Sequence, residues 1–265
     1  AADVSPTASQ MPKLVGLAQA SRIYRNLSTK NSSKFSNNGN EIAWGTIGNA
    51  STSEGVFFEA INAAGVLQIP MVISVWDDDY GISVHNKDQT TKESISKALK
   101  GFQKSDSQPG LEIIEVKGWD YTGLIDAYNF ASKLARKNHI PVLVHVTELT
   151  QPLGHSSSGS HERYKTTERL EWEKEYDCNS KMKEWILSNG IANYEDLKLI
   201  EENAKIKVKN DRKSAWNEYQ APILKQRKIF YNFYNDFINK TNNDINLQLI
   251  KKKLFSNSEP CFNDI

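Results

Sequence analysis

The chain has 265 residues, a mass of 30.0 kDa and 38% hydrophobic residues, which suits a buried core and not a disordered segment. Its 33 basic and 32 acidic residues give a net charge of +1, which argues against nucleic acid or an anionic membrane as the main partner. No apolar run approaches the roughly 18–20 residues of a membrane span.

The start, AADVSPTASQ, has neither the basic nor the apolar region of a secretory signal, and it lacks an initiator Met. A processed form or a piece of a longer chain is therefore expected. A helix follows closely. The stretch 27–40, LSTKNSSKFSNNGN, is polar and aperiodic and reads as an exposed loop. EIAWGTIG (41–48), PMVISVW (70–76), LEIIEVK (111–117) and PVLVHVTE (141–148) are short and rich in β-branched residues, so they read as strands. Between them the spacing predicts helices over 53–67, with Phe57, Ile61 and Ala64 on one face, and over 121–138, with Leu124, Tyr128, Ala131 and Ala135. A shorter helix is expected over 92–102, with Ile95, Leu99 and Phe102.

Strands alternating with such helices imply βαβ units: an α/β fold whose mostly parallel sheet has helices on both faces. After the loop 151–165, QPLGHSSSGSHERYK, the strand signal ends. Residues 166–255 read as helix, and within 222–240 Ile229, Phe230, Phe233, Tyr234, Phe237 and Ile238 form an apolar band. The last ten residues look like a linker. The expected division is an α/β domain over 1–165 and a helical extension over 166–265, and residues 181–265 are modestly basic, with 15 basic against 11 acidic residues. Cys178 and Cys261 lie far apart and form neither a metal knuckle nor a disulfide framework. A reducing location is expected, the cytoplasm or an organelle matrix.

Neither a GxxxxGK[ST] phosphate loop nor a GxGxxG fingerprint is present. GHSSSG has the wrong spacing for a nucleophile elbow. What the chain does carry is a turn of small residues, Gly48 to Gly55, leading from a strand into a helix. Such a turn lets backbone N–H groups approach a diphosphate, although Ser51 and Glu54 also have the spacing of a capping box that needs no ligand. At the end of the next strand, Asp77, Asp78 and Asp79 are consecutive. They fit either an acidic turn in solvent or a hard divalent cation such as Mg²⁺, which takes oxygen ligands. Asn49 and Asp78 would meet across adjacent strand ends, where open α/β sheets bind ligands.

The segment IGNASTSEGVFFEAINAAGVLQIPMVISVWDDDYGIS resembles the thiamine-diphosphate motif of the alpha-type subunit of 2-oxo acid dehydrogenases, the decarboxylating component. That family usually reads GDGATSEG, a helix, a strand and ENNGYAIS. Gly48, Thr52, Ser53, Glu54, Gly55, Tyr80, Ile82 and Ser83 match it. VSPTASQMP near the start is similar to a family segment with SPLA and Q-x-P. LGHSSSGSHERYK is similar to the loop GHSxSDxxxxYR, with His155, Ser156 and Tyr164 in register. The resemblance covers about residues 4–175.

The resemblance implies a thiamin-diphosphate-binding fold. It also implies oxidative decarboxylation of a 2-oxo acid with acyl transfer to a lipoyl group, using thiamine diphosphate and Mg²⁺. The implied cofactor contacts are Ser5, Thr7, Gly48, Asn49, Ala50, Ser51, Asp78, Tyr80, Ile82 and His155. The implied metal ligands are Asn49, Asp78 and the backbone carbonyl of Tyr80, and the implied catalytic residue is His155, over the reacting centre. The family's first ligand is normally acidic and its second an Asn, so Asn49 and Asp78 exchange the two while keeping one carboxylate and one amide. Trp76 and Gln151 stand where the family often has Arg, and Asp79 takes a Gly position. Serines 156, 157, 158 and 160 lie where some relatives are phosphorylated, but the family's SD pair is Ser158 and Gly159 here.

The pyrimidine-activating Glu of the family comes from a beta-type subunit. A beta-type partner, or a beta segment of the same polypeptide, is therefore expected, together with a lipoyl-bearing acyltransferase component. The isolated chain is expected to be inactive. Elements are expected before Ala1 and after Ile265. The alternative is a binding or assembly module of the same fold with an impaired cofactor site.

Overall fold

The computed structural model describes residues 6–27, 32–156, 159–241 and 245–264. In chain order the main elements are α1 (Gln10–Asn26), β1 (Ala43–Gly48), α2 (Gly55–Leu67), β2 (Met71–Trp76), β3 (Tyr80–Gly81), β4 (Val84–His85) and α3 (Ile95–Ala98). There follow β5 (Glu112–Lys117), α4 (Tyr121–Asn138), β6 (Val142–Thr147), α5 (Thr167–Glu175), α6 (Cys178–Ser188), α7 (Tyr194–Lys240) and α8 (Ile245–Phe255). β1, β2, β6 and β5 form one parallel sheet in that order, and β3 and β4 a small antiparallel hairpin.

The order follows from the strand sequences. MVISVW and VLVHVT are buried on both faces over their first five residues and occupy the centre, whereas AWGTIG and EIIEVK carry partly exposed positions and form the edges. Successive strand side chains point to opposite faces. Ile73, Val75 and Leu143 pack on one side with Met11, Leu14 and Ala18 of α1 and Phe57, Ile61 and Ala64 of α2. Val72, Val142, Val144 and Val146 pack on the other with Ala131 and Ala135 of α4. Gly45 of β1 permits a close approach of α1, since a Cβ there would sit 2.6 Å from Leu14 Cδ2. The α/β reading, with helices on both faces, is what the structure contains.

Three local expectations change. The helix expected over 92–102 shrinks to the single turn α3, flanked by 3-10 turns, because Lys92 is left-handed (φ 63°) and Ser94 caps the turn through Lys97 N–H. The polar loop is anchored over its described residues: Glu41 accepts from Ser36 Oγ (2.7 Å) and Asn37 N–H (2.5 Å), while Arg25 Nη2 donates to the Gly39 and Arg136 carbonyls (2.9 and 2.6 Å). The long helical tract breaks into α5 to α8.

The chain divides into two compact bodies, Ala1–Asn189 and Gly190–Ile265, and not at 165/166. α5 and α6 stay with the first body through Tyr176 against Trp119 (5.2 Å between ring centroids) and Trp185 against Tyr121 (4.8 Å). In the second body, α7 starts at a capping box of Asn193 and Asp196 and α8 packs back along it. Phe255 meets Tyr231 and Phe230, Tyr234 Oη donates to the Leu247 carbonyl, and Gln220 Nε2 donates to the Pro260 carbonyl. The last residues are thus held, although they read as a linker. The apolar band splits: Ile238 is buried and Phe230 and Tyr234 face α8, but Ile229, Phe233 and Phe237 are exposed.

α4 ends on His139, in the left-handed region (φ 55°), whose buried Nε2 lies 2.8 Å from the Gly39 carbonyl. Burial pushes the imidazole below its ordinary value, with Arg25 and Arg22 adding to the effect. The folded chain therefore binds this proton less readily than the unfolded one. The stability involved is present above about pH 6.5 and is lost as pH falls through that value. Thermal unfolding should show a drop in Tm from pH 7.5 to 5.5, smaller in His139→Asn, which tolerates the left-handed backbone but does not carry the titrating ring. Identical drops in both proteins would refute this assignment.

Candidate functional site

The carboxyl ends of β1, β2 and β6 open onto one cavity of about 690 Å³. From the first come Gly48, Asn49, Ala50 and Ser51, from the second Trp76, Asp78, Tyr80, Gly81 and Ile82, and from the third Leu149, Thr150, Gln151 and His155. Thr7 lines it from the start of the chain. Of the cofactor and metal contacts implied by the resemblance, only Ser5 is missing from this lining, and it lies outside the described residues, as do Ser157 and Ser158.

The turn after β1 is a short 3-10 segment, Ala50–Ser53, closed by Thr52 Oγ1 donating to the Asn49 carbonyl (2.5 Å). The capping box is absent. α2 begins at Gly55 with Glu54 as its N-cap, and no side chain caps it. Ser51 is therefore left to face the cavity. Gly48 leaves open room, since a Cβ there would meet nothing within 4 Å.

The three aspartates separate into different roles. Asp77 is 4% exposed and lies at the centre of a buried network. Its Oδ2 sits 2.8 Å from His145 Nε2, while its Oδ1 accepts from Asp79 N–H and from Asn86 Nδ2, both at 2.9 Å. Burial alone would raise its pKa, but these hydrogen bonds outweigh it and hold the carboxyl below the usual range. Asp78 turns to the cavity. Burial, with repulsion from Asp77, pushes its carboxyl above the usual range, although Tyr80 N–H donates to Oδ1 at 3.2 Å. Asp79 is left-handed (φ 68°), the reason a Gly suits this place, and pairs with Arg169 Nη1 at 2.5 Å. Ile82 is also left-handed (φ 59°), a conformation that costs a β-branched residue about 1–3 kcal/mol.

Asn49 donates from Nδ2 to the Tyr80 carbonyl (3.2 Å) and to Asn86 Oδ1 (2.9 Å). Tyr80 thus links the Asn49 amide to the Asp78 carboxylate. Asn49, Asp78 and Tyr80 line the same cavity, and the amide, carboxylate and backbone carbonyl they can offer are a donor set that suits a hard divalent cation with diphosphate and water completing its shell. The described lining contains no Lys or Arg. A bare diphosphate would meet Asp78 with no lining cation to offset its charge, and a bound Mg²⁺ resolves that conflict. The residues present fit the pair.

The loop bearing His155 is held from behind. Lys165, 6% exposed, donates to both carboxylate oxygens of buried Glu173 (2.7 and 2.8 Å) and approaches the Gln151 carbonyl at 3.5 Å. Arg169 donates to Glu173 and, through Nη2, to the Asp78 carbonyl (2.8 Å), and lies over the Tyr80 ring. Tyr164 packs on Tyr80 at 5.6 Å. Apart from Tyr164, which the loop motif names, this support, together with Asn86 and His145, is not identified from the sequence. The available signals were weak: Arg169 and Glu173 have i, i+4 spacing, and His145 breaks an otherwise apolar strand. The latter reads as simple packing but proves to be hydrogen-bonded on both ring nitrogens, to Asp77 and to Ser96 Oγ (3.0 Å).

A family model described as dehydrogenase E1 component matches residues 3–223. The chain is 25% identical over 198 residues to the pyruvate dehydrogenase E1 component subunit alpha of Rickettsia bellii, covering 75% of this chain and 57% of that one. It is 24% identical over 234 residues to the 2-oxoisovalerate dehydrogenase subunit alpha 1, mitochondrial, of Arabidopsis thaliana, covering 88% and 43%. The chain thus spans about half the length of these relatives. A transketolase structure from Leishmania mexicana aligns over 54% of this chain and 20% of that chain at 21% identity, with a TM-score of 0.41.

Glu173→Ala should leave the Lys165 charge buried and unpaired and cost about 3–5 kcal/mol, measured by urea unfolding. A loss below 1 kcal/mol would mean that the pair does not hold this loop.

Proposed function

Because the chain belongs to the dehydrogenase E1 component family, we propose that it is the alpha-type part of a thiamine-diphosphate-dependent 2-oxo acid dehydrogenase and holds the diphosphate and Mg²⁺. The observation that carries this reading is the convergence of the Asn49 amide, the Asp78 carboxylate and the Tyr80 carbonyl beside the open turn Gly48–Ser51. When bound, thiamine diphosphate supplies the electron sink for decarboxylating a 2-oxo acid.

The chain's own residues bind and orient. Asn49, Asp78 and the Tyr80 carbonyl hold the cation, and the backbone of Gly48, Ala50 and Ser51 with Thr7 faces the diphosphate. Ile82 shapes the wall next to it. His155, on a loop fixed through Lys165, positions the reacting groups and the incoming lipoyl group. The groups that complete the site are contributed by a beta-type subunit or segment, and the acyl unit passes to a lipoyl-bearing acyltransferase component. A second reading, a binding or assembly module with an impaired cofactor site, is favoured by the absence of Lys and Arg from the described lining where Trp76 and Gln151 stand.

Calorimetry on the complex with a beta-type partner distinguishes the two. Thiamine diphosphate should bind only with Mg²⁺. Asp78→Ala should abolish that binding, while Asp79→Gly, which relieves the left-handed strain, should change it little. Gln151→Arg should tighten it, by about 1–3 kcal/mol if a full charge-assisted bond forms. Absence of both binding and 2-oxo acid decarboxylation in the wild-type complex would overturn the catalytic reading, and equal losses in the two Asp variants would overturn the ligand assignment.

A further inference from the structure

An amide ligand has a problem that a carboxylate lacks. Only one end of its side chain carries a lone pair for a cation, while the other end carries two hydrogens that repel it. Asn49 must therefore be held the right way round. The buried network behind it can do this. Asp77 Oδ1 is a carboxylate oxygen and accepts, so the end of Asn86 that faces it is Nδ2 (2.9 Å). That turns Asn86 Oδ1 toward Asn49, and an oxygen there calls for Asn49 Nδ2 (2.9 Å). The other Nδ2 hydrogen goes to the Tyr80 carbonyl (3.2 Å). With both amide hydrogens engaged, what Asn49 has left for the cavity is its carbonyl oxygen.

We propose that Asn86, itself oriented by Asp77, is a positioning residue that sets the Asn49 amide so that Oδ1 faces the cavity as an oxygen ligand for a hard divalent cation. The inference rests on the reading of this cavity as the cation site. Each member of the relay is fixed. Asn86 is 2% exposed, and its backbone N–H donates to the Asp79 carbonyl (2.9 Å) while its own carbonyl accepts from Gln89 and Thr90 N–H. Asp77 is tied to the neighbouring strand by its N–H to the Val146 carbonyl (2.9 Å) and by His145. Ser96 Oγ, which donates to Glu115 Oε2 (2.7 Å), lies 3.0 Å from Nδ1 on the far side of the His145 ring. Orientation thus passes from one acceptor-only carboxylate through two amides, each of which donates backward and presents an acceptor oxygen to the next.

The test is a double-mutant cycle on the full-length protein with its partner, with Mn²⁺ binding in the presence of thiamine diphosphate measured by electron paramagnetic resonance. Asn86→Leu should weaken Mn²⁺ binding about 10- to 100-fold, the range for loss of an outer-shell partner. A carboxylate at position 49 has two equivalent oxygens and no orientation to set, so in the Asn49→Asp background the same Asn86→Leu change should cost less than about 3-fold. A merely structural role for Asn86 predicts equal losses in both backgrounds, and that result would overturn the proposal, as would no loss in either. If Asn86→Leu does not fold, Asn86→Ser removes the amide with less apolar bulk and serves in its place.

Hydrogen exchange at the Asn side-chain amides, read by NMR without metal, separates this inference from the reading beneath it. The Asn49 NH₂ should be protected in the wild type and lose protection in Asn86→Leu; an unprotected Asn49 in the wild type overturns the relay. Protected amides in a protein that binds no Mn²⁺ would overturn the cation-site reading, and with it the ligand role of Asn49, while leaving the hydrogen-bond orientation standing.

Discussion

The Asp77 carboxylate, buried where β2 ends, is the constraint on which the site depends. A charge so placed is tolerable only if its oxygens are filled, and the groups that fill them come from three directions: His145 from the adjacent central strand, the Asp79 N–H from the next turn, and Asn86 from beyond β3 and β4. The same requirement that satisfies one buried anion therefore locks the path of residues 77–86, puts Asp78 on the cavity side and sets the height of Tyr80. Arg169 and the Lys165–Glu173 pair close the arrangement from the α5 side.

Much of the fold was legible because its signals are local and strong. The central strands read as uninterrupted apolar runs, and α2 and α4 have clear apolar faces. The strand ends then brought Asn49 and Asp78 into one cavity with little room for alternatives. What escaped was non-local. α3 was over-read because Lys92 adopts a left-handed conformation that spacing does not announce. The loop 27–40 reads as exposed because the anchors of its described residues, Arg136 and His139, come from the distant end of α4. The same holds for the site: its wall could be read from motifs, but the supporting residues Asn86, His145, Lys165 and Glu173 depend on which polar groups burial leaves to be satisfied. A single His in VLVHV gives no sign of the two polar partners it will meet.

The second body is organised by different forces. α7 has a defined start in its capping box and gains tertiary support late, where Ile223, Ile238 and the aromatic residues facing α8 are covered. Leu199, Ile200, Ile206 and Val208 along its first half are exposed, so local backbone bonding and propensity hold that half with little help from burial.

Four non-glycine residues around the cavity or beside it, Ala8, Asp79, Ile82 and Glu148, have positive φ. The outline of the cavity is accordingly drawn by the course of the main chain more than by the bulk of particular side chains. Such a frame tolerates drift: residues can be exchanged between neighbouring strand ends, as an amide and a carboxylate at positions 49 and 78 can, without the hollow closing or changing its depth. Sequence divergence in a lineage built this way would erode the lettering of the motif well before it altered the shape.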